Sequence, residues 1–297
     1  MSSAIVEDTV NFEALALSLE HCPDYKVLRR IPAPVAESGA VIADEKFALI
    51  VDTETTGLDL REDEVIEIGF LLVHYRENRI LSTREFGNEL REPSKKIPEK
   101  IQLITGITPE KLKGKSIDAA KVLAAVSRAN IVIAHNAAFD RPMCERLFPE
   151  FKHKPWACTL REIDWAGYGF ESAKLKYLLL ESGYFFDGHR ALDDCVALEK
   201  LLSLETKNGN TYFDDLMESA RTPSVHFYVN SPYELRSEIA AMGYRWNSQE
   251  GRLRGRWEKS VRLSQFTLEM ELLETLKKSG VQYDTTEEDA FSRYAIK

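Results

Sequence analysis

The sequence lacks the features that mark secreted and membrane-spanning proteins. It has four cysteines and no Cys-x-x-Cys pair; they are Cys22, Cys144, Cys158 and Cys195. Such spacing predicts free thiols and argues against a disulfide framework or a zinc site. No apolar run reaches the roughly 18 residues of a membrane helix, and the first residues do not combine a basic start with an apolar stretch, as a secretory signal would. We therefore expect a cytoplasmic protein with no membrane partner.

An excess of positive charge is also missing. The formal net charge of the 297 residues is −9, which argues against a tight, non-specific binder of nucleic acid, since such binders neutralise phosphates with Lys and Arg. It does not exclude a nuclease, because acids that hold cations contribute to the excess. Residues 222–262 reverse the balance with seven bases against four acids. The chain is thus acidic with one basic segment.

The first informative pattern is a pair of acids at the end of a predicted strand. The apolar residues 47–51 predict a buried strand, and residues 52–57 follow it with the sequence Asp-Thr-Glu-Thr-Thr-Gly. Side chains alternate along a strand, so Asp52 and Glu54 point the same way. Two neighbouring carboxylates repel each other unless a cation lies between them, and oxygen ligands favour Mg²⁺ or Mn²⁺. One such pair alone is also compatible with two acids in solvent at a strand end.

Two further blocks place more polar groups at element boundaries. Ile131–Ala134 predicts a buried strand that runs into residues 135–140, and residues 189–194 open a stretch with helical apolar spacing. The chain thus offers one histidine and four acids at the ends of predicted elements: His189, Asp52, Glu54, Asp140 and Asp194. In α/β proteins such boundaries are where catalytic groups are presented.

These three blocks resemble the motifs of the DnaQ-like exonucleases of the DEDDh type. The family's motifs are Asp-x-Glu-Thr-Thr-Gly, His-Asn-x-x-Phe-Asp and His-x-Ala-x-x-Asp, and residues 52–57, 135–140 and 189–194 match them in that order. Residues 104–108 resemble the family's threonine–glycine stretch, and the resemblance covers about residues 46–206. It implies an α/β fold of the ribonuclease H-like kind, with a mixed sheet flanked by helices, and a 3′–5′ exonuclease activity.

The resemblance also implies a role for each motif residue. Two Mg²⁺ ions, for which Mn²⁺ would substitute, are expected on four carboxylates: Asp52, Glu54, Asp140 and Asp194. His189 completes the catalytic set as the general base. The residues expected to contact substrate are Thr55, Gly57, Leu58, His135, Asn136 and Phe139. A structural role is the alternative for the last three. Asp193 competes with its neighbour, but the family's spacing selects Asp194, which leaves Asp193 as an exposed acid in the first helical turn.

The chemistry supports this arrangement of acids and histidine. Phosphodiester hydrolysis requires neutralised charge on the phosphate and a deprotonated water in line with the leaving oxygen, and two cations about 4 Å apart supply both. We expect Asp52 to bridge the cations because it lies deepest on its strand. A general base should titrate near neutral pH, which histidine does without strong tuning. His189 matches the family's base position, and His135 is the competing residue.

Composition and turn-forming residues predict four segments. Residues 1–45 form an N-terminal helical arm that is too short for a core of its own and packs on the nuclease or on a second subunit, so a homodimer is one expectation. Residues 46–207 form the exonuclease domain and 208–222 a linker. Residues 223–297 form a C-terminal α+β module of order β-α-β-β-α.

The C-terminal module carries the basic segment. Its predicted hairpin strand places Arg252, Arg254 and Arg256 on one face, where they could track phosphates with Tyr244 or Trp246 as a stacking surface. The alternative is a half-buried strand with its arginines in water. The Gly-Tyr-Arg-Trp block in this segment resembles the C-terminal extension of some exodeoxyribonuclease X-like enzymes, which favours DNA over RNA.

The sequence therefore predicts a Mg²⁺-dependent 3′–5′ exonuclease that shortens DNA from its 3′ ends, releases nucleoside 5′-monophosphates, and acts in repair or degradation of those ends. RNA ends are the first alternative, because the three motifs do not read the 2′-hydroxyl. The second alternative is an editing or binding subunit held by a polymerase. A catalytically silent chain would lack one of the acids, and none is missing.

Overall fold

The computed structural model describes residues 11–37, 45–247 and 255–295. Its strands are β1 (Arg29–Arg30), β2 (Lys46–Thr55), β3 (Val65–Arg76), β4 (Arg79–Leu90), β5 (Ile131–Ala134), β6 (Trp156–Cys158), β7 (Tyr184–Phe185), β8 (Ser224–Asn230), β9 (Arg245–Asn247), β10 (Arg256–Arg262) and β11 (Gln282–Glu288). Its helices are α1 (Phe12–Glu20), α2 (Glu99–Thr105), α3 (Pro109–Leu112), α4 (Ala119–Arg128), α5 (Ala137–Leu147), α6 (Thr159–Glu162), α7 (Leu175–Glu181), α8 (Ala191–Leu202), α9 (Tyr212–Arg221), α10 (Arg236–Ala241) and α11 (Phe266–Leu276). No helix in these ranges has the length and apolar character that crossing a membrane requires.

A five-stranded mixed sheet of order β4-β3-β2-β5-β6, the main sheet, forms the centre of the larger part of the chain. Strands β4, β3 and β2 are antiparallel, whereas β5 and β6 run parallel to β2. Apolar residues fill both faces of β2 and β3, as expected of central strands that are covered on both sides. One face packs against α7, α8 and α9, and the other against α4 and α5. The predicted α/β class, with a mixed sheet flanked by helices, is confirmed.

Alternation along β2 decides which residues face which helices. Ile50 packs in the core that contains α7, α8 and α9, whereas Leu49 packs in the core that contains α4 and α5. By the same period of two, Asp52 and Glu54 lie on the α8 side of the sheet and Thr53 on the α5 side. The last residues of β2 are therefore accessible to helices from both layers.

The predicted linker 208–222 is wrong for most of its length. It contains α9, whose N-cap residue Thr211 accepts a hydrogen bond from the backbone N–H of Asp214 (3.2 Å). Tyr212 and Phe213 are buried in the same core as α8. Gly209 marks only a tight turn between the two helices, because the helical spacing of apolar residues in 212–220 allows the chain to bury a further face.

The described part of the N-terminal arm packs against the rest of the same chain. Helix α1 begins after its N-cap Asn11, as its apolar spacing predicts, but it buries none of its residues, and Phe12 is 79% exposed. Strand β1 pairs in parallel with β7. The backbone N–H of Glu37 donates to the carbonyl of Thr83 on β4 (2.9 Å). The arm is thus fixed by its later residues, and not by α1.

A second, antiparallel sheet of order β11-β8-β10-β9 forms the C-terminal module, and α10 and α11 cover one of its faces. Its core contains Phe227, Val229, Ile239 and Leu273. The predicted order β-α-β-β-α is found, but β11 adds an unpredicted strand. The sequence of β11 is mostly polar and exposed, so it carries little of the apolar alternation that predicts strands.

After β11 the chain returns to the main sheet, where hydrogen bonds of two buried arginines connect it to the helices. Arg293 donates to Oε2 of Glu162 (2.9 Å) and to the carbonyl of Ser219 (3.2 Å). Arg141 on α5 donates to the carbonyls of Phe291 and Arg293, both at 2.7 Å. The side chains of Arg141 and Arg293 are almost fully buried. The end of the chain is therefore joined to α5 and α9 by a buried polar network.

We expect Arg293→Ala to lower the free energy of unfolding by about 3–5 kcal/mol, because Glu162 would remain buried without its cation. Arg79→Ala is the matched control: Arg79 pairs with Glu205 (3.6 Å) with its side chain 52% exposed, so its loss should cost less than about 1 kcal/mol. Urea titrations followed by circular dichroism measure both values. Equal losses would mean that the buried network adds no more stability than a surface ion pair.

Candidate active site

The end of β2 supplies two acids to one face of the main sheet. Asp52 and Glu54 are half-buried, whereas Thr53 and Thr55 are buried on the opposite face. The pairing of β2 with β3 shifts between Glu54 and Thr55, and such an irregularity ends regular pairing where the chain turns away. The two carboxylates lie side by side at this end of the strand, as the alternation predicts.

Helix α8 brings a third acid, Asp194, to the same place. The helix can lie close to the sheet because β3 has a glycine there: a Cβ atom on Gly69 would lie 2.2 Å from the backbone carbonyl carbon of Ala191. Gly69 is the cross-strand partner of Asp52, so α8 begins over the acidic end of β2. Carboxylate oxygens of Asp52, Glu54 and Asp194, the acidic cluster, all lie within 4.8 Å of one another.

The fourth predicted acid, Asp140, reaches the site from the other layer of helices. Its Oδ1 accepts hydrogen bonds from the backbone N–H (3.1 Å) and the hydroxyl (2.8 Å) of Thr53. These two bonds hold one carboxylate oxygen on the α5 side, and Asp140 does not belong to the acidic cluster as its oxygens are placed. It is near enough to Asp52 for its charge to raise the pKa of that carboxyl.

All four carboxyls have a raised pKa. Burial is the largest cause in each case, and for Asp52 and Glu54 the charges of the neighbouring acids follow. The pKa of Asp194 rises to about 6, that of Asp140 to about 7 and that of Glu54 to about 8, while the pKa of Asp52 lies well above its usual value. Without a cation these acids bind protons near neutral pH, and a bound cation would displace those protons.

The donor set fits a hard divalent cation. The acidic cluster offers only carboxylate oxygens, the ligands that Mg²⁺ and Mn²⁺ prefer. Cys144 and Cys195 are buried near these acids, and burial raises the pKa of both thiols. Neither cysteine therefore offers a thiolate for a softer metal. Among the residues that the structure describes, no other group of three or more ligand-type side chains is so closely spaced.

His189 lies beside the acidic cluster, on the loop before α8. Its backbone N–H donates to Oδ2 of Asp194 (2.8 Å), and its side chain is exposed. Its φ of +69° lies in the left-handed region, which non-glycine residues rarely adopt. Asp193 is exposed and remains outside the cluster. The aspartate in the cluster is Asp194, the one that the motif spacing selects.

His135 has a different environment. Its Nδ1 lies 2.8 Å from the hydroxyl oxygen of Thr159, and burial lowers the pKa of its ring to about 4. The ring is therefore neutral at pH 7. Its contact with Thr159 connects the residue after β5 to the residue after β6. Phe139 packs against the core beside α4 and α5, and Asn136 is the half-buried residue that precedes α5. These positions support the structural alternative for His135 and Phe139.

The loop after β2 carries the other motif residues. The Thr55 hydroxyl donates to the carbonyl of Gly57. A Cβ atom on Gly57 would lie 2.3 Å from the Asp63 carboxylate, which accepts a hydrogen bond from the Thr56 hydroxyl (2.8 Å) and is thereby fixed. Leu58 is 81% exposed. The loop is ordered by its own polar contacts and leaves one large apolar side chain available to a ligand.

Of the three arginines predicted to bind phosphates, only Arg256 lies within the described residues. It donates to Asp284 on β11 (2.6 Å), so part of its charge is already compensated. Arg252 and Arg254 fall in the segment between β9 and β10 that the structure does not describe. Of the two predicted stacking residues, Tyr244 is buried in the core of the module and Trp246 is 52% exposed.

Two residues of β3 that sequence reasoning missed help to build the site. Glu67 is fully buried and lies across the strand pair from Glu54, and Gly69 lies across from Asp52. Both face α8. The signal for Glu67 was present in the sequence, because a charged residue inside the apolar run of β3 must find buried partners. The signal did not say which element would supply them.

Residues 49–202 match the RNase_T family of proteins, whose description is Exonuclease. The PolC-type DNA polymerase III of Thermotoga maritima is 34% identical over 163 residues, which cover 49% of this chain and 11% of that polymerase. The DNA polymerase III subunit epsilon of Aquifex aeolicus is 29% identical over 153 residues, covering 49% of this chain and 73% of that subunit. This chain thus spans about a tenth of the length of the PolC-type relatives that it matches.

Among solved structures, the zinc-bound complex of E. coli exonuclease I with single-stranded DNA is similar to this chain with a TM-score of 0.53. The sequence identity is 15%, and the alignment covers 74% of this chain and 63% of that chain. A complex of the same enzyme with a dA16 oligonucleotide gives a TM-score of 0.51 at 14% identity, covering 78% of this chain and 71% of that chain. At such identities the similarity shows a shared fold, and the ribonuclease H-like architecture is confirmed.

Proposed function

Because the chain belongs to the RNase_T exonuclease family, we propose that it is a metal-dependent 3′–5′ exonuclease that releases nucleoside 5′-monophosphates from the 3′ ends of DNA. The observation that carries this proposal is the acidic cluster of Asp52, Glu54 and Asp194, with oxygens within 4.8 Å of one another, beside the exposed His189. Negative charge for cations and an accessible base thus lie in one place, which is what phosphodiester hydrolysis needs.

The acidic cluster would hold Mg²⁺, or Mn²⁺ in its place, at two adjacent positions. When bound, two such ions neutralise the scissile phosphate and lower the pKa of the attacking water. Asp140 would complete the ligand set with the oxygen that Thr53 does not bind. The two hydrogen bonds from Thr53 bind one oxygen of this carboxylate and leave the other without a bond from Thr53.

The remaining steps belong to side chains around the cluster. His189 would accept the proton of the attacking water, because its side chain is open to solvent and its backbone is bonded to Asp194. Leu58, 81% exposed on the adjacent loop, would contact the terminal base. A positioned side chain that accepts a proton in the transition state contributes to the rate of such a reaction.

DNA is favoured as the substrate because two of the sequence relatives are a PolC-type DNA polymerase III and a subunit of DNA polymerase III. A role in repair or degradation of 3′ ends would use a free enzyme of this kind. The same relatives favour a second candidate, an editing exonuclease that acts on the 3′ end held by a polymerase. The two candidates share their chemistry and differ in whether the isolated chain is fully active.

The test is cleavage of matched 5′-labelled DNA and RNA oligonucleotides, single-stranded and duplex, with Mg²⁺ or with EDTA, using Asp140→Ala as the inactive control. We expect a Mg²⁺-dependent ladder that shortens from the 3′ end of DNA. Faster cleavage of RNA would replace the proposed substrate. Slow cleavage that rises on addition of a polymerase would favour the editing role. A folded protein that cleaves nothing, with or without polymerase, would overturn the proposal.

We expect His189→Ala to lower kcat by about 10²–10⁴, the range for loss of a positioned general base. The matched control is His153→Ala, which removes an exposed histidine outside the site and should leave kcat unchanged. Single-turnover rates with saturating Mg²⁺ give the measurement. A His189→Ala rate as low as that of Asp140→Ala would contradict a base role that is separate from cation binding.

A further inference from the structure

We propose that Glu67 is a positioning residue for this reaction: it holds Arg190 and the first turn of α8, and through them His189. The proposal rests on the proposed function, since it concerns how the base of that reaction is held. It starts from a buried charge that neither the acidic cluster nor the core explains. Glu67 is fully buried near the start of β3 in the main sheet, where an ionised carboxylate is costly unless it is paired and hydrogen-bonded.

Glu67 satisfies its charge almost entirely with the residues that follow His189. Its Oε1 accepts from Nε (3.0 Å) and Nη2 (2.6 Å) of Arg190, and its Oε2 accepts from the backbone N–H of Ala191 (3.0 Å). The amide of Asn88 on β4 adds a further bond to Oε1 (2.8 Å). One rigid carboxylate on β3 therefore binds two consecutive residues at the start of α8, and a two-pronged bond to arginine also sets its orientation.

These contacts favour a supporting role for Glu67 over that of a metal ligand. Both oxygens of Glu67 are occupied by donors, three of them nitrogens of Arg190 and Ala191. Glu67 is absent from the acidic cluster although it lies opposite Glu54 in the strand pair. Its position makes it a support for the loop before α8.

The loop needs such a support because of the backbone of His189. A left-handed φ of +69° is unfavourable for histidine, and it persists only where the surroundings impose it. On the N-terminal side the loop is held by Arg30 of the arm, whose ion pair with Asp187 (2.7 Å) has both side chains more than half exposed, so this hold is weak. The buried contacts of Glu67 therefore restrain the loop more strongly than the ion pair between Arg30 and Asp187.

The contacts of Glu67 affect the proposed reaction through the position of His189. In the left-handed conformation the N–H of His189 reaches Oδ2 of Asp194 (2.8 Å), which joins the loop to the acidic cluster. If Arg190 is released, the loop can relax and the imidazole moves away from the attacking water. A displacement of about 1 Å can cost on the order of 10²-fold in rate.

The test is a double-mutant cycle between Glu67→Gln and His189→Ala, measured as kcat and KM with saturating Mg²⁺. We expect Glu67→Gln alone to lower kcat by about 10–10²-fold and to change KM by less than about threefold. In the His189→Ala background the same change should lower kcat no further, because it acts through a base that is already absent. Arg190→Ala, which removes a partly exposed partner and keeps the buried acid bonded to Ala191, should give the same pattern with a smaller loss.

Glu269→Gln is the matched control, since Glu269 is a buried carboxylate paired with Lys259 (2.6 Å) in the C-terminal module. It should lower Tm without lowering kcat. Full additivity of Glu67→Gln and His189→Ala, or a kcat of Glu67→Gln equal to wild type, would overturn the positioning role while leaving the nuclease proposal intact. If Glu67→Gln does not fold, additivity of Arg190→Ala with His189→Ala would overturn it instead. An inactive wild-type protein would instead refute the proposed function.

Discussion

We expect Asp52→Asn to lose at least about 10³ in kcat and, at the same time, to make the metal-free protein more stable. The loss of rate follows from the loss of a proposed cation ligand, since a bound cation supplies several kcal/mol of charge stabilisation and each 1.36 kcal/mol is tenfold in rate. The gain in stability follows from repulsion, because the pKa of Asp52 is raised by burial and by the charges of Asp140, Asp194 and Glu54.

The gain in stability should depend on pH in a defined direction. The pKa values of the other acids are raised to about 6 for Asp194, about 7 for Asp140 and about 8 for Glu54. In the unfolded chain the pKa of such carboxyls is about 4. The folded protein therefore holds protons that the unfolded chain has released, and the stability of the metal-free protein falls as pH rises from about 4 to about 8. Asp52→Asn removes one charge from this group, so its advantage should be small at pH 5 and largest at pH 8.

Thermal unfolding in EDTA measures this effect, and for a chain of this size about 1 kcal/mol corresponds to roughly 2–4 °C in Tm. Addition of Mg²⁺ should raise the Tm of the wild type and leave that of Asp52→Asn nearly unchanged. Asp24→Asn, which removes an exposed acid from the arm, controls for the change in net charge. A variant that is less stable than the wild type at pH 8 in EDTA would show that the acids are held by favourable contacts and are not in mutual repulsion.

The acids themselves could be predicted from the sequence because each follows a strong local signal. The apolar run before Asp52 and the one before His135 both form strands of the main sheet, and alternation alone places Asp52 and Glu54 on one face. The helical spacing after His189 gives α8 with Asp194 in its first turn. Three separate local patterns thus define where three elements begin or end. The resemblance of the motifs to those of a known family indicates that these ends meet in one site.

The support of the site could not be predicted in the same way. Whether a helix lies over a given strand depends on contacts between residues more than a hundred positions apart, such as Glu67 with Arg190, and a local pattern carries no information on them. The same reason explains the unpredicted return of the chain end, where Arg293 meets Glu162. The placement of Asp140 is a subtler case: its motif position is clear, but the two bonds from Thr53 that turn one oxygen toward the α5 side appear only in the fold.

The second large effect concerns Gly69, the residue that lets α8 approach the acidic end of β2. In Gly69→Ala the added methyl would lie 2.2–2.5 Å from three backbone atoms of Ala191 and Leu192. Backbone atoms inside a helix cannot rotate away as a side chain can, so the start of α8 must move. We expect a loss of about 1–3 kcal/mol in stability from overpacking, and a fall in kcat of at least about 10²-fold, because Asp194 moves with the helix.

Gly87→Ala on β4 is the matched control for Gly69→Ala. Its added methyl would lie 2.4 Å from the ring of Phe70, a side chain, and on the α4 side of the sheet, so it should cost stability without displacing Asp194. The decisive readout is the rise in Tm on adding Mg²⁺, which reports whether the acidic cluster still forms. This rise should be lost in Gly69→Ala and kept in Gly87→Ala. If both variants keep it, α8 reaches the cluster without the close contact at Gly69.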